Sequence, residues 1–257
     1  MRRCRAAASG DDHDAVLLDG EHLLTEALDA GVPIALVLTD GRAPALVARA
    51  HATGAAVYEG TASVLAAASP VRSPSGVVAL AQWHTTRVVD AMAAPDACCL
   101  GLVGVQDPGN VGSAIRAVDA LGATGALILD GTADPRAWKT LRGSMGSVFH
   151  VPVGEGTTAE ALAEARHAGL TVIAAVARNG TPLMNVDLVG PCLILVGSEG
   201  AGLAPDVVDR ADARVTIPMR GGVDSLNVAV TAGIVLYEAR RQREESGGAT
   251  ATTGTGR

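Results

Sequence analysis

The sequence predicts an α/β protein, a small α/β sandwich followed by a larger α/β domain, on three observations. Short apolar runs alternate with stretches of helical period along nearly the whole chain. In the second half a run such as CCLGLVGV (98–105) is apolar almost throughout, as a strand covered on both faces should be. Glycine and proline, 31 and 12 of 257 residues, fall largely between the runs, where turns are needed.

In the first half, AVLLDG (15–20) reads as a strand and EHLLTEALDAG (21–31) as a helix closed by Gly31. IALVLTD (34–40) is a strand, PALVARAHATG (44–54) a helix and AAVYEG (55–60) a strand. TASVLAAAS (61–69) is a helix with Thr61 as its N-cap, and GVVALAQW (76–83) a strand. Residues 1–13 read as a flexible N-terminus and 84–96, polar then Ala/Pro-rich, as a linker.

The alternation then restarts over 97–245. After the run at 98–105, NVGSAIRAVDALG (110–122) is a helix, GALILDG (125–131) a strand and VFHVPV (148–153) a strand. TAEALAEARHAG (158–169) is a helix, TVIAAVA (171–177) and LILVG (193–197) are strands, and the last helix spans about 225–243. The low-complexity residues 246–257 read as a disordered tail.

Composition narrows the function classes. The chain is 48% hydrophobic and 18% charged, a globular profile. No apolar run reaches the ~18–20 residues of a membrane helix, and the basic start lacks the apolar core of a secretory signal. Four cysteines without CxxC spacing point to reduced, buried thiols and a cytoplasmic protein. The six histidines show no ligand spacing, so no metal site is expected. A net charge of −7 weighs mildly against nucleic acid, although a local basic patch can coexist with an acidic whole. With two Trp, two Tyr and one Phe, any RNA contact must rest mainly on arginines and shape rather than on a stacking platform.

Three segments carry chemistry. In QDPGNVGSAIRAVDALG (106–122) a turn opens a helix with Asn110 at its start and Arg116 six residues on. It reads as an anion- or RNA-facing helix end with a cationic side chain nearby, or as a plain strand-to-helix turn with a solvated arginine. RAWKTLRGSMGSVFHVPV (136–153) holds Lys139, Arg142 and Ser144, either a basic patch with Arg116 or cations at a helix C-terminus. LILVGSEGAGL (193–203) and TIPMRGGVDSLNVAVTAGIVLYEA (216–239) place Gly-flanked Glu199 at one strand end and Ser225-Leu226-Asn227 at a helix start. Glycines at such bends let a ligand meet bare backbone. The dinucleotide fingerprint GxGxxG is absent, and Asp130 comes too early to serve as its acid, which weakens a nucleotide-dependent oxidoreductase.

Together these segments resemble the SpoU-type (TrmH-like) RNA ribose 2′-O-methyltransferases of the SPOUT superfamily. PGNVGSAIRAVDALGA matches the first motif, LILVGSEGAGL the second and IPMRGGVDSLNVAVTAGIVLYE the third, in the family's order. Segment 14–83 resembles the L30e-like RNA-binding domain that often precedes this catalytic domain, with Pro74-Ser75-Gly76 in place of Pro-Gln-Gly. The resemblance implies a C-terminal deep trefoil knot, a homodimer and S-adenosylmethionine as cofactor. It implies Gly197, Glu199, Ile217, Met219, Ser225, Leu226 and Asn227 around the cofactor. It implies Arg116, Asn110, Glu199, Ser225 and Asn227 as catalytic residues, with Arg116, Lys139, Arg142 and Ser144 toward RNA. Glu199 has an alternative, purely structural role as an acceptor of hydrogen bonds. The substrate implied is structured RNA, 23S rRNA ahead of tRNA. A non-catalytic RNA-binding protein and an NAD-dependent oxidoreductase are the readings from other classes.

Overall fold

The computed structural model describes residues 2–10, 12, 14–71, 75–221 and 223–251. It divides into two compact units, Met1–Thr85 with Pro108–Arg116 and Ala133–His150, and Thr86–Asp107 with Ala117–Thr132 and Val151–Arg257. The first unit therefore takes in two pieces that the sequence assigns to the second domain.

The first unit opens with helix α1 (Arg2–Ser9), where a flexible terminus was expected. Its alanine-rich sequence favours helix, and Cys4 and Ala7 are buried against Leu17, Val78 and Leu80, which ties it down. Then follow β1 (Val16–Asp19), α2 (Glu21–Asp29), β2 (Ile34–Thr39), α3 (Pro44–Ala52), β3 (Ala56–Glu59), α4 (Ala62–Ala68) and β4 (Val77–Ala81). The sheet order is β1-β4-β2-β3, antiparallel except for the parallel β2–β3 edge. Gly31, at φ 71°, ends α2 in a Schellman motif, with Gly31 N–H on the Leu28 carbonyl and Val32 N–H on that of Ala27. Thr61 stands at the cap position of α4, but its hydroxyl meets Ser63 Oγ at 2.7 Å and caps nothing.

Two later helices complete this unit. Residues 108–116 and the helix Trp138–Ser144 touch backbone to backbone at glycines. A Cβ on Gly112 would lie 2.3 Å from the Thr140 carbonyl oxygen, and one on Gly143 would lie 3.0 Å from that of Gly109. Of the strand predicted at 148–153 only Val153 falls in one, Val153–Glu155, and Ser147–Phe149 form a 3-10 turn instead. Gly146 enters it at φ 89°, Pro152 lacks a ladder donor, and Phe149 packs edge-on against Trp83 at 6.0 Å.

In the second unit β5 (Thr86–Arg87) and α5 (Val88–Ala91) occupy the expected linker, with Val88, Ala91 and Met92 in the core. The chain continues through β6 (Cys98–Leu102), α6 (Pro108–Ala120), β7 (Gly125–Ile128), α7 (Trp138–Ser144) and β8 (Val153–Glu155). It goes on through α8 (Thr158–His167), β9 (Thr171–Ala175), β10 (Thr181–Pro182), β11 (Cys192–Val196), α9 (Pro205–Asp209), β12 (Ala213–Thr216) and α10 (Val228–Ala251). Eight strands of this unit form one parallel sheet, β10-β12-β9-β11-β6-β7-β8-β5. Its central strands β6, β7 and β11 are buried along their whole length, which their unbroken apolar sequences require. Gly101 is part of that fit, because a Cβ there would sit 2.6 Å from Leu195 Cδ2.

Helix α10 begins at Val228 rather than at Ser225 and runs to Ala251, into the expected tail; residues 252–257 lie outside those described. It is fastened by Arg243, whose guanidinium donates to the carbonyls of Asp96 at 2.7 Å, Leu188 at 3.0 Å and Gly190 at 2.6 Å. All four cysteines are free and buried. Among the described residues no helix is long and apolar enough to cross a membrane.

Candidate functional site

The carboxyl ends of β9, β11 and β12 open onto a cavity of about 330 Å³, where parallel sheets place their ligands. Its size falls in the ~300–1,000 Å³ range of small-molecule sites. One wall is the loop after β11. Gly197 leaves the strand so close to its neighbour that a Cβ would lie 2.2 Å from the Gly202 carbonyl carbon, so only glycine fits. The loop turns back on itself through Gly202 N–H on the Ser198 carbonyl at 2.9 Å and Ala201 N–H on Ser198 Oγ at 3.3 Å. Ile217, Met219, Ser225 and Leu226 line another wall.

Glu199 and Asn227 lock the two segments together. Asn227 Nδ2 donates to Glu199 Oε1 at 2.9 Å. Asn227 Oδ1 accepts from the N–H groups of Ala229 at 2.9 Å and Val230 at 3.2 Å, so the same amide caps α10. This leaves Asn227 as a brace at the rim, while Gly197, Glu199, Ile217, Met219, Ser225 and Leu226 line the cavity itself.

The residues read as facing RNA lie in the first unit. Arg116, Lys139 and Arg142 are exposed, and Asn110 is half-buried in the first turn of α6. Ser144 is different. It is fully buried and its hydroxyl donates to the Leu141 carbonyl at 2.8 Å, so it packs α7 and cannot reach a nucleic acid. Asp130 accepts from Thr158 N–H at 2.7 Å, a bond that holds its carboxyl below the usual range and ties it to the start of α8.

Sequence reasoning missed Asp224, Val176, Ala177 and Thr231, which also line the cavity. Asp224 is paired with Arg178 at 2.6 Å, which joins the loop after β9 to the segment before α10. The charges at 178 and 224 were a legible signal, but their pairing across 46 residues was not. Among the described residues no group of three or more His, Cys, Asp or Glu is placed to hold a metal ion.

A parallel α/β sheet with a glycine-walled cavity at its carboxyl edge is the arrangement of a small-molecule-binding protein. Comparison with known proteins makes it specific. Residues 97–237 match the model of the SpoU rRNA Methylase family, and the chain belongs to that family. The 23S rRNA (guanosine(2553)-2′-O)-methyltransferase RlmP of Bacillus subtilis is 32% identical over 226 residues, covering 87% of this chain and 88% of the relative. An AdoMet-bound rRNA methyltransferase from Sinorhizobium meliloti has a TM-score of 0.85 at 31% identity, covering 93% of both chains. The SpoU methyltransferase AviRb from Streptomyces viridochromogenes, in complex with AdoMet, has a TM-score of 0.83 at 28% identity, covering 95% of this chain and 97% of that one.

Proposed function

We propose that this protein transfers the methyl group of S-adenosylmethionine to a ribose 2′-hydroxyl of ribosomal RNA, 23S rRNA in particular. The observation that carries the reading is the cavity formed by Gly197, Glu199, Ile217, Met219, Ser225 and Leu226. Its donor set fits the cofactor. Apolar Ile217 and Leu226 suit the faces of a purine, the crowded backbone at 197–203 suits polar edges, and Glu199 suits a cationic ligand. Bound there, S-adenosylmethionine would supply an electrophilic methyl group on positively charged sulfur.

The chain's own tasks are alignment and charge management. Asn227 holds Glu199 and the start of α10 in register, so the cavity walls are preorganised. Arg116 binds the target phosphate and stabilises the alkoxide as the 2′-oxygen loses its proton to solvent; a guanidinium does this as a cation, not as a base. Asn110 and Ser225 orient the ribose and the loops beside it. Lys139 and Arg142 add contacts to the RNA. Arg116→Ala should abolish methyl transfer and leave S-adenosylmethionine affinity unchanged in a titration; full turnover would remove Arg116 from the reaction.

The same reading covers architecture. A C-terminal trefoil knot would lie where residues 197–203 line one cavity with Ser225 and Leu226. The four-stranded sheet of the first unit supports an L30e-like RNA-binding module. A homodimer would use α10, whose Val230, Ile234 and Tyr237 form an apolar stripe exposed by 49%, 37% and 60%. A Cβ on Gly233 would meet nothing within 4 Å, leaving room for a close partner helix, whereas Ala232 is spent on the protein's own core. A cytoplasmic location follows from the substrate.

A further inference from the structure

Within the first unit a cavity of about 490 Å³ opens between α7 and the junction of β1 with α2, and of its lining residues Arg142 alone has a role above, toward RNA. Its floor is apolar, formed by buried Leu17 and Leu23. Trp138 and Arg142 stand four residues apart on α7, so a flat ring and a guanidinium share one wall. His22 Nε2 lies 3.0 Å from the Met145 carbonyl oxygen, joining that wall to the one opposite.

Asp19 gives the cavity its selectivity. It is the last residue of β1, and its half-buried carboxyl takes the Ser69 hydroxyl on Oδ2. Oδ1 accepts no hydrogen bond among the described residues, which leaves an acceptor for a ligand. Burial pushes the Asp19 carboxyl above its ordinary range, while the Ser69 hydroxyl and the nearby Arg142 charge act against that push. A phosphate is a poor occupant beside this acid. A flat ring that offers adjacent N–H donors to a carboxylate and acceptors to an arginine is a good one. Guanine has both, N1–H beside the N2 amino group and O6 beside N7, whereas adenine and cytosine each offer an amino group with no ring N–H beside it, and uracil a lone N3–H between two carbonyls. Aromatic and apolar walls with hydrogen bonds to the base edge are how proteins read unstacked bases.

We propose that this cavity receives an unstacked guanine of the substrate RNA, with Asp19 accepting from its N1–H and N2–H edge, Arg142 donating to O6 and N7, and Trp138 stacking on the ring. The RNA context rests on the methyltransferase reading; the base preference does not. The test uses the full chain with Trp83→Phe, which leaves Trp138 as the one tryptophan, titrated with GMP, AMP, CMP and UMP. GMP should quench Trp138 fluorescence saturably, with affinity about tenfold or more above that of AMP. Asp19→Asn should bring GMP down to the level of AMP, with S-adenosylmethionine affinity unchanged. In methyl transfer to 23S rRNA the same variant should raise KM about tenfold and leave kcat intact. Saturation-transfer NMR on the unsubstituted protein repeats the GMP–AMP comparison without relying on any variant's folding. Equal response to all four nucleotides, or a guanine preference that survives Asp19→Asn, overturns the proposal. A protein that prefers GMP yet methylates no RNA instead overturns the reading of its function and leaves this one standing.

Discussion

At the scale of single residues, Asn227 does the work of three contacts with one amide. Both ends of that amide are committed, the oxygen to the first turn of α10 and the nitrogen to Glu199. Asn227→Ala should cost about 1 kcal/mol through the lost cap. It also frees Glu199 from its tie to α10, so S-adenosylmethionine should bind at least tenfold more weakly. Thermal unfolding and a cofactor titration separate the two effects. An unchanged dissociation constant with a lowered Tm would reduce Asn227 to a helix cap. The sequence marked Glu199 and Asn227 as site residues, because a Gly-flanked acid and a polar helix start are local patterns. That they bond each other was not legible, since 28 residues separate them. Ser144 shows the reverse failure. A serine between two basic residues and a strand looks solvent-facing, yet α7 turns it inward.

At the scale of elements, the decisive contact is α6 against α7 through Gly112 and Gly143. Alanine within a helix is ordinarily favoured over glycine by ~1 kcal/mol. At Gly112 that gain is outweighed, because the new Cβ would lie 2.3 Å from the Thr140 carbonyl oxygen and 2.7 Å from the Ser144 nitrogen. Both are backbone atoms, so the helices must separate, and Gly112→Ala should destabilise the protein by about 1–3 kcal/mol. Denaturant unfolding measures this, and a neutral or stabilised variant would refute the close approach. Long periodic helices and buried strands were legible from pattern. Short elements were not. Thr86–Arg87 and Val88–Ala91 hide in a stretch with linker composition, and Thr181–Pro182 is too brief to show a period. The apolar run at 148–153 misled for another reason, since Gly146 and Pro152 force a turn where hydrophobicity alone suggests a strand.

At the scale of the whole molecule, the two units carry different chemistry. The second holds the cavity at the carboxyl edge of its parallel sheet, and the first carries exposed Arg116, Lys139 and Arg142. The sequence divides the chain at a linker, whereas the compact units divide it by packing, so residues 108–116 and 133–150 join the smaller sheet. Such an exchange leaves no trace in composition. Assembly is testable at this scale. Ile234→Glu with Tyr237→Glu on the exposed stripe of α10 should convert a dimer to monomers in light scattering, without altering the fold. A monomeric parent protein would contradict the dimer directly. The central claim is ribose methylation of ribosomal RNA, and one measurement bears on it most directly. The protein is incubated with methyl-labelled S-adenosylmethionine and separate rRNA and tRNA pools, and the products are hydrolysed in alkali. Label should appear in 23S rRNA within an alkali-resistant dinucleotide, the mark of a blocked 2′-hydroxyl. Label released in ordinary mononucleotides, confined to tRNA, or absent from both pools would contradict the claim.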